Sequence, residues 1–114
     1  MRSKAQISVR HIGEIAIFDT IGSLTEDSEE GLNRAYDRTE EEGLTKILIN
    51  FHPQSFITSS GFGLIVKLIW KARNKGQILR VAHPSDQVRK NFGVIGLTRS
   101  IDVFESEEAA LADF

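Results

Sequence analysis

Five consecutive residues, Ile47-Leu48-Ile49-Asn50-Phe51, carry apolar side chains at all but one position. Successive side chains of a strand point to opposite faces of a sheet. A run without polar alternation therefore needs cover on both faces, as in the centre of an α/β sheet. The segments around it fit that demand. Residues 25–43 place Leu32, Ala35, Tyr36 and Thr39 at i, i+3, i+4 and i+7, the spacing of one helix face. Thr25 or Ser28 can cap its start, Glu26, Asp27, Glu29 and Glu30 suit the positive end of its dipole, and Gly43 suits a C′ position. Upstream, Ile7–Ile12 and Ile15–Phe18 alternate around Gly13-Glu14, a hairpin signal, and Ile21-Gly22-Ser23-Leu24 closes that part of the sheet.

Downstream, residues 52–60 read as a loop and a helix is expected from near Gly61 to about Lys75, where Gly76 stops it. Ile78–Ala82 is the next strand, ended by His83-Pro84. Ser85 or Asp86 caps a short helix through about Phe92, broken by Gly93; a connection with Gly96 follows. Ile101–Phe104 is a last strand, and Ser106 caps a helix to Leu111. Strands alternating with helices after a hairpin predict one α/β domain over residues 1–114, with a mixed sheet of four to five strands and about four helices.

Composition narrows the function classes. The 114 residues carry 14 Lys and Arg against 16 Asp and Glu, a net charge of −2, which lacks the positive field that holds nucleic acid or anionic lipid. With no cysteine, disulfides, thiolate zinc sites and thiol catalysis are excluded. The longest apolar stretch, 61–66, is far shorter than the roughly 20 residues of a membrane span. The start, Met1 to Gln6, lacks a signal-peptide apolar core. The expectation is a soluble cytoplasmic protein.

The net charge hides a segregation. Residues 25–46 hold eight acids and three bases; residues 61–100 hold eight bases and one acid. Lys67, Lys71 and Lys75 recur every fourth residue along the central helix, either as a solvated face or as a docking surface for an acidic partner. On the same helix Leu64, Ile65, Leu68, Ile69 and Ala72 form a core stripe, while Phe62, Val66 and Trp70 form a second row. That row either packs under a neighbouring helix or is an exposed anchor of the kind interfaces favour.

Phe56-Ile57-Thr58-Ser59-Ser60-Gly61-Phe62-Gly63 sets three hydroxyls before a helix start that contains two glycines. Hydroxyls there are first of all caps. Glycine costs about 1 kcal/mol relative to alanine inside a helix, so two need a reason: turn geometry, or access for a partner or phosphate. A phosphate on one hydroxyl would meet free backbone N–H groups and the positive end of the dipole.

Asn50-Phe51 followed by Ser55-Phe56-Ile57-Thr58-Ser59-Ser60-Gly61-Phe62-Gly63-Leu64-Ile65 resembles the hallmark segment of STAS domains, the fold of anti-sigma-factor antagonists. Ile21–Leu24 resembles that family's Gly-x-Leu turn, and Val88–Leu97, Ile101–Phe104 and Glu107–Leu111 resemble its last third. The resemblance implies a small sheet covered mainly on one face by helices, and a bacterial transcription regulator acting by partner switching. Unphosphorylated, such a protein binds an anti-sigma factor, commonly a serine kinase; phosphorylation abolishes the complex and a serine phosphatase restores it. By position the phosphoacceptor falls on Ser59, with Thr58 and Ser60 beside it. The partner surface falls on Ser59, Ser60, Gly61, Phe62, Gly63, Val66, Lys67, Trp70 and Lys71. A weak homodimer is compatible with this, and no cofactor, metal or nucleic acid is implied. Thr58 and Thr25 stand where the family usually has Asp. Three outcomes stay open: Ser59 is modified with different support, the chain binds constitutively, or Thr58 is an acceptor too.

Two rivals belong to other classes. His52 and His83 follow strand ends, as Ser59 does, where open α/β sheets bind ligands. A hydrolase would also need an orienting acid and a Gly-x-Ser-x-Gly elbow or its equivalent, which the loops do not offer. Both His-Pro pairs read as loop punctuation, His11 as an exposed residue of an edge hairpin, and the chain as a binding module without enzymatic activity. The second rival is a stand-alone STAS subunit of a stressosome-like or transporter complex, since fold does not determine function.

Overall fold

The computed structural model describes residues 6–52, 56–94, 102–112 and 114. In chain order these form β1 (Gln6–Ile12), β2 (Ile15–Ile21), β3 (Ser23–Leu24), a 3-10 turn (Glu26–Ser28), α1 (Glu29–Glu41), β4 (Lys46–Phe51), β5 (Phe56–Ile57), α2 (Ser59–Asn74), β6 (Ile78–Ala82), α3 (Asp86–Val94), β7 (Asp102–Phe104) and α4 (Glu107–Leu111). The main sheet runs β1-β2-β4-β6-β7. β1 and β2 are antiparallel, and every later neighbour is parallel. Gly13 takes the hairpin turn at φ +58, a conformation glycine adopts without cost.

Both faces of β4 are indeed covered. Ile47, Ile49 and Phe51 join Phe18, Tyr36, Ile65, Leu68, Ile69 and Val88 in a large core beneath α1, α2 and α3. Leu48 faces the other way, where Ile17, Ala82 and Ala110 form a small core under α4. Three helices thus cover one face and the short α4 the other. Among the described residues no helix is long and apolar enough to cross a membrane.

Several boundaries differ from expectation. Ser23-Leu24 does not close the main sheet; as β3 it pairs in parallel with β5 in a separate two-stranded ribbon. The segment read as one loop therefore contains a strand, and α2 begins two residues early, at Ser59. Gly93 does not break α3, which runs to Val94. Gly93 is its next-to-last residue, where the helix penalty of a glycine, about 1 kcal/mol relative to alanine, is tolerated. Gly96, Ile101 and Ser55 lie outside the described residues.

Candidate functional site

The β3–β5 ribbon aims the start of α2. The Thr58 N–H donates to the Leu24 carbonyl at 3.0 Å, and Thr58, in extended conformation (φ −85°, ψ 169°), accepts the Gly61 N–H on Oγ1 at 3.1 Å. Of the three hydroxyls, then, Thr58 is the cap. Ser59 is the first residue of α2; it and Ser60 are exposed, and the Ser59 hydroxyl has no partner among the described residues. The two glycines separate as well. A Cβ on Gly61 would stand 2.2 Å from the Leu24 carbonyl oxygen, whereas one on Gly63 would meet nothing within 4 Å. Gly61 lets two backbones touch; Gly63 leaves the surface open.

Thr25 repeats the capping solution. Its Oγ1 accepts from Asp27 N–H at 3.1 Å, and its own N–H donates to Ser28 Oγ at 3.0 Å. Thr25 and Thr58 thus both make the hydrogen bond of a cap and bring no charge. The first turn of α2 holds no acid, while α1, α3 and α4 each start with at least one. The positive end of the α2 dipole has no carboxylate in that turn to offset it, which suits an added phosphate.

Thr58, Ser59, Phe62, Gly63 and Val66 line an open groove of about 640 Å³ together with Phe56, Ile57 and Gln87. The row Phe62-Val66-Trp70 is graded: Phe62 is 8% exposed and joins the core, Val66 is half-buried, and Trp70 is 57% exposed with the Arg73 guanidinium 5.6 Å from its ring centre. Gly61 and Phe62, expected on the partner surface, are thus buried. Leu64, expected in the core stripe, is only partly buried and lines a cleft between α1 and α2.

The lysine row is not a bare basic stripe. Lys67 lies 3.8 Å from Glu29 and Lys75 2.5 Å from Glu40, while Lys71 sits over the Tyr36 ring. The hydrogen bond to Glu40 raises Lys75 above its ordinary pKa. The acids of α1 thus answer two of the three lysines, because α1 and α2 pack side by side. Two of the three histidines have structural posts. His83, at φ +52°, accepts the Glu107 N–H on Nε2 at 3.3 Å, at the start of α4. His11 is exposed, as expected, but pairs with Glu42 at 2.7 Å. His52 is exposed at the end of β4.

Sequence reading missed a polar cluster on the α4 face. Arg10 binds Asp19 and Glu107, and Asn50 Nδ2 donates to both carboxylates, at 2.9 and 3.1 Å. Burial would raise the Asp19 carboxyl, but hydrogen bonds from Arg10 and Asn50 and the Arg10 charge hold it below its ordinary 3.8. Its hydrogen bonds to Asp19 and Glu107 raise Arg10 further above its ordinary value. The hairpin register places Arg10 diagonally across from Asp19, so that part was legible from the Gly13-Glu14 turn.

The STAS domain model matches residues 6–110. Among solved structures, a Thermotoga maritima protein provisionally assigned as an anti-sigma factor antagonist aligns with a TM-score of 0.78 at 14% identity, over 92% of this chain and 91% of that one. The anti-sigma factor antagonist SpoIIAA, a Bacillus cell-fate determinant, aligns in its unphosphorylated form at 0.72 and 20% identity, over 93% of each chain. Its phosphorylated form aligns at 0.69 and 19%, over 93% of this chain and 96% of that one. At such identities the structural likeness establishes the fold. The family match covers nearly the whole chain, which therefore belongs to the STAS domain family.

Proposed function

We propose that this chain is a cytoplasmic anti-sigma-factor antagonist switched by phosphorylation of Ser59. Unphosphorylated, it sequesters an anti-sigma serine kinase and so frees a sigma factor; phosphorylated by that kinase, it lets go, and a serine phosphatase resets it. It acts as a binding module, not as a catalyst. Ser59, Ser60, Gly63, Val66, Lys67, Trp70 and Lys71 form the contact surface, with Gly61 and Phe62 supporting it. The observation that carries this reading is the exposed Ser59 hydroxyl, relieved of capping by Thr58, on the rim of the groove.

The energetics favour a veto over a refolding. A phosphate adds a charge of about −1.5 to −2, which the first turn of α2 accepts. The dipole contributes only about 0.3–2 kcal/mol, too little to remodel the domain. In an interface, a desolvated unpaired charge costs roughly 2–5 kcal/mol, and about 1.4 kcal/mol is tenfold in affinity. The test is to incubate the protein with each anti-sigma serine kinase of the source genome and ATP, then map the phosphate by mass spectrometry. One phosphate at Ser59 and release of the kinase are expected. Ser59→Asp should weaken the complex at least about thirtyfold, while Ser59→Ala keeps it. Phosphate elsewhere, or a Ser59→Asp variant that binds like wild type, overturns the reading. Stable assembly with a transporter ATPase or a large array of homologous chains would favour the other role for a STAS subunit.

A further inference from the structure

The last residue of β5, Ile57, is held from two sides. On one side its neighbour Thr58 bonds to Leu24. On the other, a side chain takes the place of a strand: Gln87 Oε1 accepts the Ile57 N–H at 3.0 Å, and Gln87 Nε2 donates to the Ile57 carbonyl at 2.7 Å. Making both bonds to one residue takes a donor and an acceptor side by side, which a carboxamide or a protonated carboxyl supplies and a carboxylate does not. Gln87 is itself well anchored. It sits in the first turn of α3, where Ser85 Oγ accepts the Val88 N–H at 3.2 Å and Val88 is fully buried. A short, stiff path thus runs from α3 through Gln87 to the Ile57 backbone, and from there to the cap Thr58 and to Ser59.

We propose that Gln87 is a positioning residue of the switch: by clamping the Ile57 backbone it sets where the Ser59 hydroxyl stands for kinase and partner. This rests on the reading of Ser59 as the modified residue. Without the clamp the edge of β5 loses both bonds, and the backbone leading into α2 keeps those to β3. Gln87 also lines the groove, so a partner that fills the groove meets the clamp directly.

Two variants of the full chain test this, Gln87→Met, which fills the space without either bond, and Gln87→Glu. Protonated, the glutamic acid has the donor and acceptor of the amide; ionised, it sets a carboxylate against the Ile57 carbonyl. A carboxyl of ordinary pKa near 4.3 changes between these forms in accessible buffers. The first readout is Ile57 amide exchange by NMR in the protein alone, each variant against wild type at the same pH. Gln87→Met should exchange at least about tenfold faster at every pH. Gln87→Glu should match wild type near about pH 4 and lose tenfold or more near about pH 7, a pH-dependent rescue that a residue needed only for packing would not give. The second readout is the rate of phosphate transfer to Ser59 near pH 7, which should fall about fivefold or more in both variants. Unchanged Ile57 exchange, or faster exchange with an unchanged transfer rate, overturns the proposal. If wild type itself takes no phosphate, the switch reading has failed and the positioning role falls with it; the exchange readout then still reports separately whether the clamp exists.

Discussion

Gly61 and Gly63 lie two residues apart in one helical turn and have opposite tasks. Gly61→Ala would drive a Cβ into the Leu24 backbone, which cannot swing aside. The expected cost is about 1–3 kcal/mol or more in denaturant unfolding. Gly63→Ala has open space and should gain about 0.5–1 kcal/mol, while lowering partner affinity by occupying the contact surface. A Gly61→Ala variant as stable as wild type would refute the close approach. The hydroxyls divide likewise: Thr58→Ala should lose about 1 kcal/mol as a lost cap, whereas Ser59→Ala should stay within about 0.5 kcal/mol. Sequence reasoning named all three hydroxyls and both glycines; the family resemblance put Ser59 first as acceptor, but the residues themselves did not say which hydroxyl caps or which glycine is buried. Capping depends on which residue takes the extended conformation, and the β3–β5 ribbon decides that. Nothing in the local pattern announces a ribbon of two residues per strand.

At the scale of elements, α4 is the instructive case. Five residues are too few for a helix to stand alone, so its ends are held from outside. Ser106 Oγ and His83 accept N–H groups at its start, and Glu107 joins Arg10, Asp19 and Asn50. At its other end Arg80 donates to the Ala110 and Ala112 carbonyls, with the Phe104 and Phe114 rings on either hand. The depressed Asp19 pKa gives a signed expectation. A carboxyl whose folded pKa lies below its unfolded value stabilises the fold above the unfolded value, and loses that contribution as pH falls through the folded one. Stability should therefore drop below about pH 4, and Asp19→Asn should flatten this part of the curve, as followed by thermal unfolding from pH 6 to 2. An equally steep loss in Asp19→Asn would show that other carboxyls govern acid unfolding. The Ser106 cap was legible, because it lies next to the helix it serves. The partnership of Arg10 with Glu107 was not, because almost the whole chain separates the two residues.

The charge segregation takes on its meaning only in the whole molecule. The acids of α1 and the lysines of α2 read as opposed blocks, but side by side they answer each other at Lys67–Glu29 and Lys75–Glu40. Exposed pairs of this kind contribute little stability, about 0–1 kcal/mol each, yet they reduce the field an approaching partner meets. Partner binding should accordingly lean more on Trp70 than on the lysine row. As the single tryptophan, Trp70 reports on this directly. Its emission should shift to the blue on complex formation, and Trp70→Ala should weaken the complex about tenfold or more while stability moves by less than about 0.5 kcal/mol. Emission unchanged at saturating partner would remove Trp70 from the interface. What the sequence alone determined is the kind and order of the elements and the two-faced burial of β4, and it pointed to the segment on which the site is proposed. Periodicity, caps and turn residues act over a few neighbours, so they can be read along the chain. Which hydroxyl stands free, which glycine is buried, which lysines are answered and how Gln87 grips Ile57 were decided by tertiary structure alone, because each depends on a contact between segments that only folding brings together.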